Sequence, residues 1–131
     1  MNGYVQNLEQ LTEGNENFRQ VVYTSNYMQL VLMRLKPNEA IGMEVHGNDQ
    51  FFRIESGTGE VEIDGTKHAI SAGSGVIVPA GAKHNVSNTS SEEDLKLYTI
   101  YSPPHHHDQV EFAAKEAAEN SREEFDGQTT E

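Results

Sequence analysis

The run Gly73-Ser74-Gly75-Val76-Ile77-Val78-Pro79-Ala80-Gly81-Ala82-Lys83-His84-Asn85-Val86-Ser87-Asn88 constrains the fold more than any other part of the chain. A short apolar strand stops at a rigid Pro-x-Gly turn, and a histidine then opens the next strand. Successive strand side chains alternate between faces, so His84 points either into the fold or out to water. An inward imidazole needs a partner. A metal ion shared with residues of another strand is the partner this pattern favours.

The surrounding sequence has the rhythm of an all-β domain. Gln20–Thr24 and Tyr27–Lys36 are rich in Val, Tyr, Leu and Met, and Phe51–Glu55, Glu60–Ile63 and Thr66–Ile70 follow between glycine-bearing turns. Asp64-Gly65 is a two-residue hairpin signal. Val76–Val78 and Leu95–Tyr101 complete the set, the last ending at Pro103-Pro104, which cannot donate to a ladder. Many short strands with turn chemistry between them specify a sandwich or closed barrel. Helices are expected only at Val5–Leu11 and over Val110–Glu119, the latter with Asp108 as a candidate N-cap.

Composition narrows the function classes. A chain of 131 residues builds one core, and the absence of cysteine excludes disulfides, thiolate zinc sites and thiol nucleophiles. The formal net charge of −12 argues against nucleic acid and anionic membranes as partners, because both demand clustered Lys and Arg. No leader-like or membrane-spanning run is present, so a soluble cytoplasmic protein is expected. Half of the excess charge falls on the last 24 residues, where eight acids face Lys115 and Arg122. The expected organisation is one domain over 1–118, with its core at about 20–101, and an acidic, disordered tail over 119–131.

At this point the residues resemble a family. Gly73, Pro79, Gly81, His84 and Asn88 match every fixed position of the second cupin motif, G-x5-P-x-G-x2-H-x3-N. The first motif, G-x5-H-x-H-x3,4-E-x6-G, keeps its spacing, with Asn38, Glu44, His46, Gln50 and Gly57 at the fixed positions. Three of those five identities depart from the motif. The resemblance implies a double-stranded β-helix, with a short N-terminal helix and a C-terminal helical or disordered acidic tail. It also implies that Glu44, His46, Gln50 and His84 are metal ligands converging inside the barrel. Glu44 and His46, two apart, leave a strand on one face. A mixed N/O donor set suits a divalent ion, zinc first, with Mn, Fe, Ni or Co as alternatives.

Further expectations concern the pocket. Phe52 and Ile54 follow Gln50 on its inward face and are expected to line the site, as is Tyr98 of the last strand. Lys83 and Arg53 alternate away from the interior, so no inward phosphate clamp is visible. His105-His106-His107 reads as a polar loop, with a role at the barrel mouth left open. The donor composition is also similar to that of zinc-dependent mannose-6-phosphate isomerases, with the Gln and Glu places exchanged. That similarity implies Lewis-acid chemistry on a small sugar-like molecule. The alternatives are a non-catalytic module binding a small molecule or metal, and an iron-dependent dioxygenase, which usually keeps three histidines and a glutamate. Exposed sheet edges imply a homodimer, with Gln20–Lys36 as the contributing strands.

Overall fold

A computed structural model describes all residues from Met1 to Glu131. The elements are α1 (Leu8–Glu13), β1 (Arg19–Thr24), β2 (Gln29–Leu35), β3 (Asp49–Ser56), β4 (Thr58–Ile63), β5 (Thr66–Ser71), β6 (Gly75–Val78), β7 (His84–Asn88), β8 (Leu95–Ser102), β9 (Glu111–Phe112) and α2 (Lys115–Asn120). Two antiparallel sheets form, ordered β6-β3-β8-β2-β1-β9 and β5-β4-β7. Alternating residues of both sheets fill the space between them: Met33, Leu35, Phe52, Ile54 and Leu97 from the larger, Val61 and Val86 from the smaller. The expected all-β jelly roll is what the chain forms.

Turn residues sit where the backbone demands them. Asp64 and Gly65 both take positive φ, 47° and 85°, the type I′ geometry that matches strand twist between Ile63 and Thr66. Gly57 marks the corner where the chain leaves β3 for the other sheet. Its φ is 94°, and a Cβ there would strike the Asp94 carbonyl. Asn38, at a motif position that calls for glycine, has φ 63°, a left-handed conformation that asparagine tolerates best among the other residues. Asn88 is buried and donates from Nδ2 to the carbonyls of Leu35, Lys36 and Glu93. Its motif role is therefore to tie two connections together.

The termini depart from expectation. The N-terminal helix runs Leu8–Glu13 rather than from Val5, because Asn7 supplies the cap by accepting from the Gln10 N–H at 3.1 Å. Near the C-terminus, Glu111–Phe112 is a strand. It pairs with the free edge of β1, where Arg19 meets Phe112 and Gln20 meets Glu111, so the helix starts only at Lys115. Val110 and Phe112 pack on the core with the period of a strand, and that burial outweighs the helical preference of the alanines. Asp108 is not the cap; it accepts from the Thr130 hydroxyl at 2.8 Å. Residues 121–131 form no regular element. They return to the barrel through Thr130, which donates its N–H to the Thr24 carbonyl at 2.9 Å and accepts the Thr24 N–H. No helix is long and apolar enough to cross a membrane.

Candidate metal centre

Backbone pairing places the ligand candidates before any side chain is considered. Glu44 and His84 form an isolated antiparallel bridge, each N–H bonded to the other's carbonyl at 2.8 and 2.9 Å. Residues paired this way project to the same side of the sheet. His46 lies two positions on and is fixed when its carbonyl accepts the Gly81 N–H at 2.9 Å. The Pro79-Ala80-Gly81 turn thus positions both histidines. Ligand atoms of Glu44, His46 and His84 all lie within 4.8 Å of one another.

The tautomers follow from the hydrogen bonds. His84 Nδ1 is 2.9 Å from the Ala82 carbonyl and must donate, which leaves Nε2 as a bare lone pair. His46 Nε2 is 3.0 Å from Gln50 Oε1, and the Gln50 amide donates from Nε2 to Thr99 Oγ1 at 2.9 Å. His46 therefore carries its proton on Nε2, and its Nδ1 is bare. Both bare nitrogens are buried and neither has a hydrogen-bond partner. Buried nitrogen acceptors are rarely left this way, and two side by side beside a carboxylate fit a cation. Small side-chain rotations would bring these three donors onto one ion. Gln50, expected as a fourth ligand, stands beside the triad with its Oε1 3.0 Å from His46 Nε2.

The pocket side chains are placed unevenly. Phe52 points inward, its ring 6.5 Å from that of His84, and Ile54 lies deeper in the core. Tyr98 does not line the pocket. In β8 the inward residues are Leu95, Leu97, Thr99 and Tyr101, so Tyr98 stands on the outer face beside Phe51. Thr99 and Tyr101 take the place expected for it.

The histidine tract is part of the site rather than a solvated loop. His105 lies 4.9 Å from the His46 ring and stacks on Tyr101 at 5.1 Å; His106 is buried. Gln29, fully buried in β2, holds the tract. Its Oε1 accepts the N–H groups of His105 and His106, and its Nε2 donates to the His106 carbonyl and to Thr24 Oγ1. Asn48 donates to the Pro103 carbonyl at 2.7 Å and so anchors the preceding turn. No local signal marks Gln29 as the residue opposite the tract; 76 positions separate it from His105.

Electrostatics divide the tract. Burial, followed by the like charges of His106, His46 and Arg19, lowers the His105 pKa to about 4. Burial raises that of the Tyr101 phenol and lowers that of His106, against the pull of Glu123. Burial alone would raise the Glu123 carboxyl; hydrogen bonds from His106 and from the His107 N–H together hold it below its usual range. The shifts agree on one state, a neutral His106 whose Nδ1–H donates to the Glu123 carboxylate at 2.7 Å. Its Nε2 then accepts from the Tyr101 hydroxyl at 3.3 Å. A cleft of about 320 Å³ opens here, and Glu44, His105, His106 and Glu123 line it. Arg19 and Phe18, which the strand reading from Gln20 onward leaves out, complete its wall.

Residues 31–101 match the family described as Cupin domain. The chain is 46% identical over 108 residues to uncharacterised protein L612 of Acanthamoeba polyphaga mimivirus, covering 79% of this chain and 67% of that protein. It is 42% identical over 110 residues to uncharacterised protein YrkC of Bacillus subtilis, covering 79% of this chain but 59% of YrkC. The chain thus spans about three fifths to two thirds of these relatives. The crystal structure of BH2720 from Bacillus halodurans superposes with a TM-score of 0.88 at 34% identity, over 90% of this chain and 94% of that one.

Proposed function

The chain belongs to the cupin family, and on that premise we propose that it holds a divalent metal ion on Glu44, His46 and His84 and binds a small polar molecule beside it. The observation that carries this reading is the pair of buried, unpartnered imidazole nitrogens facing one carboxylate. Two imidazoles and one carboxylate suit zinc first, then Fe, Mn, Co or Ni. With one anionic ligand the centre keeps a net charge near +1. The ion supplies a Lewis acid that polarises a carbonyl or hydroxyl oxygen, the chemistry of sugar-isomerase-like proton transfer.

The protein's own residues do the rest. Ala82 and Gln50 fix the two imidazoles, the arrangement that orients metal-binding histidines. Phe52 and Ile54 keep the inner wall apolar and exclude water. Among His105, Tyr98 and Tyr101, His105 alone both lines the cleft and stands against the His46 ring. Tyr98 faces outward, and Tyr101 is committed to His106.

Elemental analysis of tag-free protein tests the centre. We expect close to one equivalent of metal, lost in the His46→Ala, His84→Ala double variant; equal metal in both proteins would remove the assignment. Turnover of aldose and ketose substrates by the loaded protein separates an enzyme from a binding module, which shows ligand-induced stabilisation alone.

A homodimer is part of the same proposal, by a different surface from the one expected. β9 pairs along β1, while the outer edge of β6 has no neighbouring strand and Ile77 on it is 72% exposed. A monomeric sedimentation coefficient at micromolar concentration contradicts it.

A further inference from the structure

One cation in the cleft takes no part in holding the metal and makes no ion pair or hydrogen bond within the protein. Arg19 opens β1 and is only 9% exposed. It shares the inward face of the strand with Val21 and stands opposite Met33 and Phe112. Its guanidinium makes no ion pair, Nε is buried without a hydrogen-bond acceptor, and the Phe18 ring lies 5.4 Å from Cζ. Arginine does not shed its proton, so the charge is permanent, and most of the side chain is withdrawn from water. A buried charge that folding leaves unpaired is costly, and such a group persists where a ligand brings the missing counter-charge.

The acids nearby are otherwise engaged. Glu44 belongs to the metal triad, Glu123 accepts from His106 and the His107 N–H, and Glu119 pairs with Lys115 at 3.4 Å. Glu124 stands exposed at the rim. We propose that Arg19 binds the carboxylate of the small molecule this cleft takes. The ligand is then an organic acid whose carbonyl or hydroxyl oxygen faces Glu44, His46 and His84. The second half of that statement rests on the metal-centre reading; carboxylate recognition by Arg19 does not.

A carboxylate fits better than a phosphoryl group. The cleft offers one guanidinium and no other Lys or Arg, against several glutamates, so a monoanion is matched where a dianion is not. A volume of about 320 Å³ also sits at the small end of ligand pockets, sized for a short-chain acid.

Titration calorimetry tests this with glycolate, lactate, pyruvate and 2-oxobutyrate, each against its primary amide, and with phosphoglycolate. Wild-type protein is measured loaded with zinc and again after chelation, alongside Arg19→Gln and Arg19→Lys. We expect at least one acid to bind ten-fold or more tighter than its amide, the preference to vanish in Arg19→Gln at unchanged zinc content, and Arg19→Lys to retain part of it. The acid–amide contrast in wild-type protein needs no variant and stands if Arg19→Gln fails to fold. No acid preference in either preparation overturns the assignment, as does an undiminished preference in Arg19→Gln. Phosphoglycolate binding tighter than every acid overturns the choice of carboxylate. A wild-type protein that takes up no zinc, yet prefers acids through Arg19, removes the metal centre and leaves this inference standing.

Discussion

The two walls of the site, the metal triad and the rest of the cleft lining, are held in place by different means, and the triad reaches the cleft through Glu44. Glu44, His46 and His84 are set by backbone pairing around the Pro79-Ala80-Gly81 turn, within one bridge and two short segments. The other wall, made of Arg19, His105, His106 and Glu123, comes from β1, the loop after β8 and the C-terminal tail. Side-chain hydrogen bonds hold much of it, above all those of Gln29 and Glu123. The first wall is a property of the barrel, and the second is fastened onto it. Disturbing the fastenings is therefore expected to alter ligand binding while leaving the metal triad assembled.

The largest effect tests the barrel itself. Phe52→Ala removes a ring that is 1% exposed beside His84 and is expected to cost about 3–5 kcal/mol, read from the urea midpoint, with metal affinity falling alongside. Next comes Gln29→Leu, which leaves one buried and one part-buried N–H group and one carbonyl of the tract without their partner, at about 3 kcal/mol. Metal content should survive this change while the imidazole resonances of His105 and His106 shift. Loss of metal in Gln29→Leu would show that the walls are not separable.

Glu123→Gln is expected to cost less, about 1–2 kcal/mol, by weakening two hydrogen bonds made to an ionised carboxylate. The same pair gives a pH dependence whose sign is fixed. His106 is held neutral, with its pKa lowered from 6.5, so the unfolded chain binds more protons as acid is added. Stability is then complete above about pH 6.5 and falls below it, and the lowered Glu123 carboxyl extends the loss at more acid pH. His105, with its pKa lowered to about 4, adds to the same decline, so His106→Gln should make its first part shallower without removing it; an unchanged pH profile would contradict the neutral-imidazole assignment. The smallest effect is at Glu131, which accepts from the Asn2 and Gly3 N–H groups and the Tyr23 hydroxyl at the surface. Glu131→Gln should leave the urea midpoint in place and speed proteolysis of the tail.

The same division explains what could be read in the chain. Gly73, Pro79, Gly81, His84 and Asn88 lie in one run whose spacing is dictated by a turn and a strand, so fold and first wall are written locally. The expectation for Tyr98 fails because alternation gives two faces but not which one is inward. Arg19 lies just outside the apolar run that marks β1, yet it shares the inward face of that strand with Val21. The histidine tract has no apolar periodicity; its burial depends on Gln29, a polar residue inside an apolar strand. The departure at Gln50 has a local meaning once His46 is seen against it: the amide both accepts from His46 and donates to Thr99.

Anomalous diffraction from crystals grown without added tag or chelator, collected above and below the zinc edge, addresses the metal centre directly. The account predicts a single peak within bonding distance of Glu44, His46 and His84, about 2.0–2.2 Å from each donor atom. Those three side chains found hydrogen-bonded to water, with no anomalous peak between them after incubation with zinc, would contradict it.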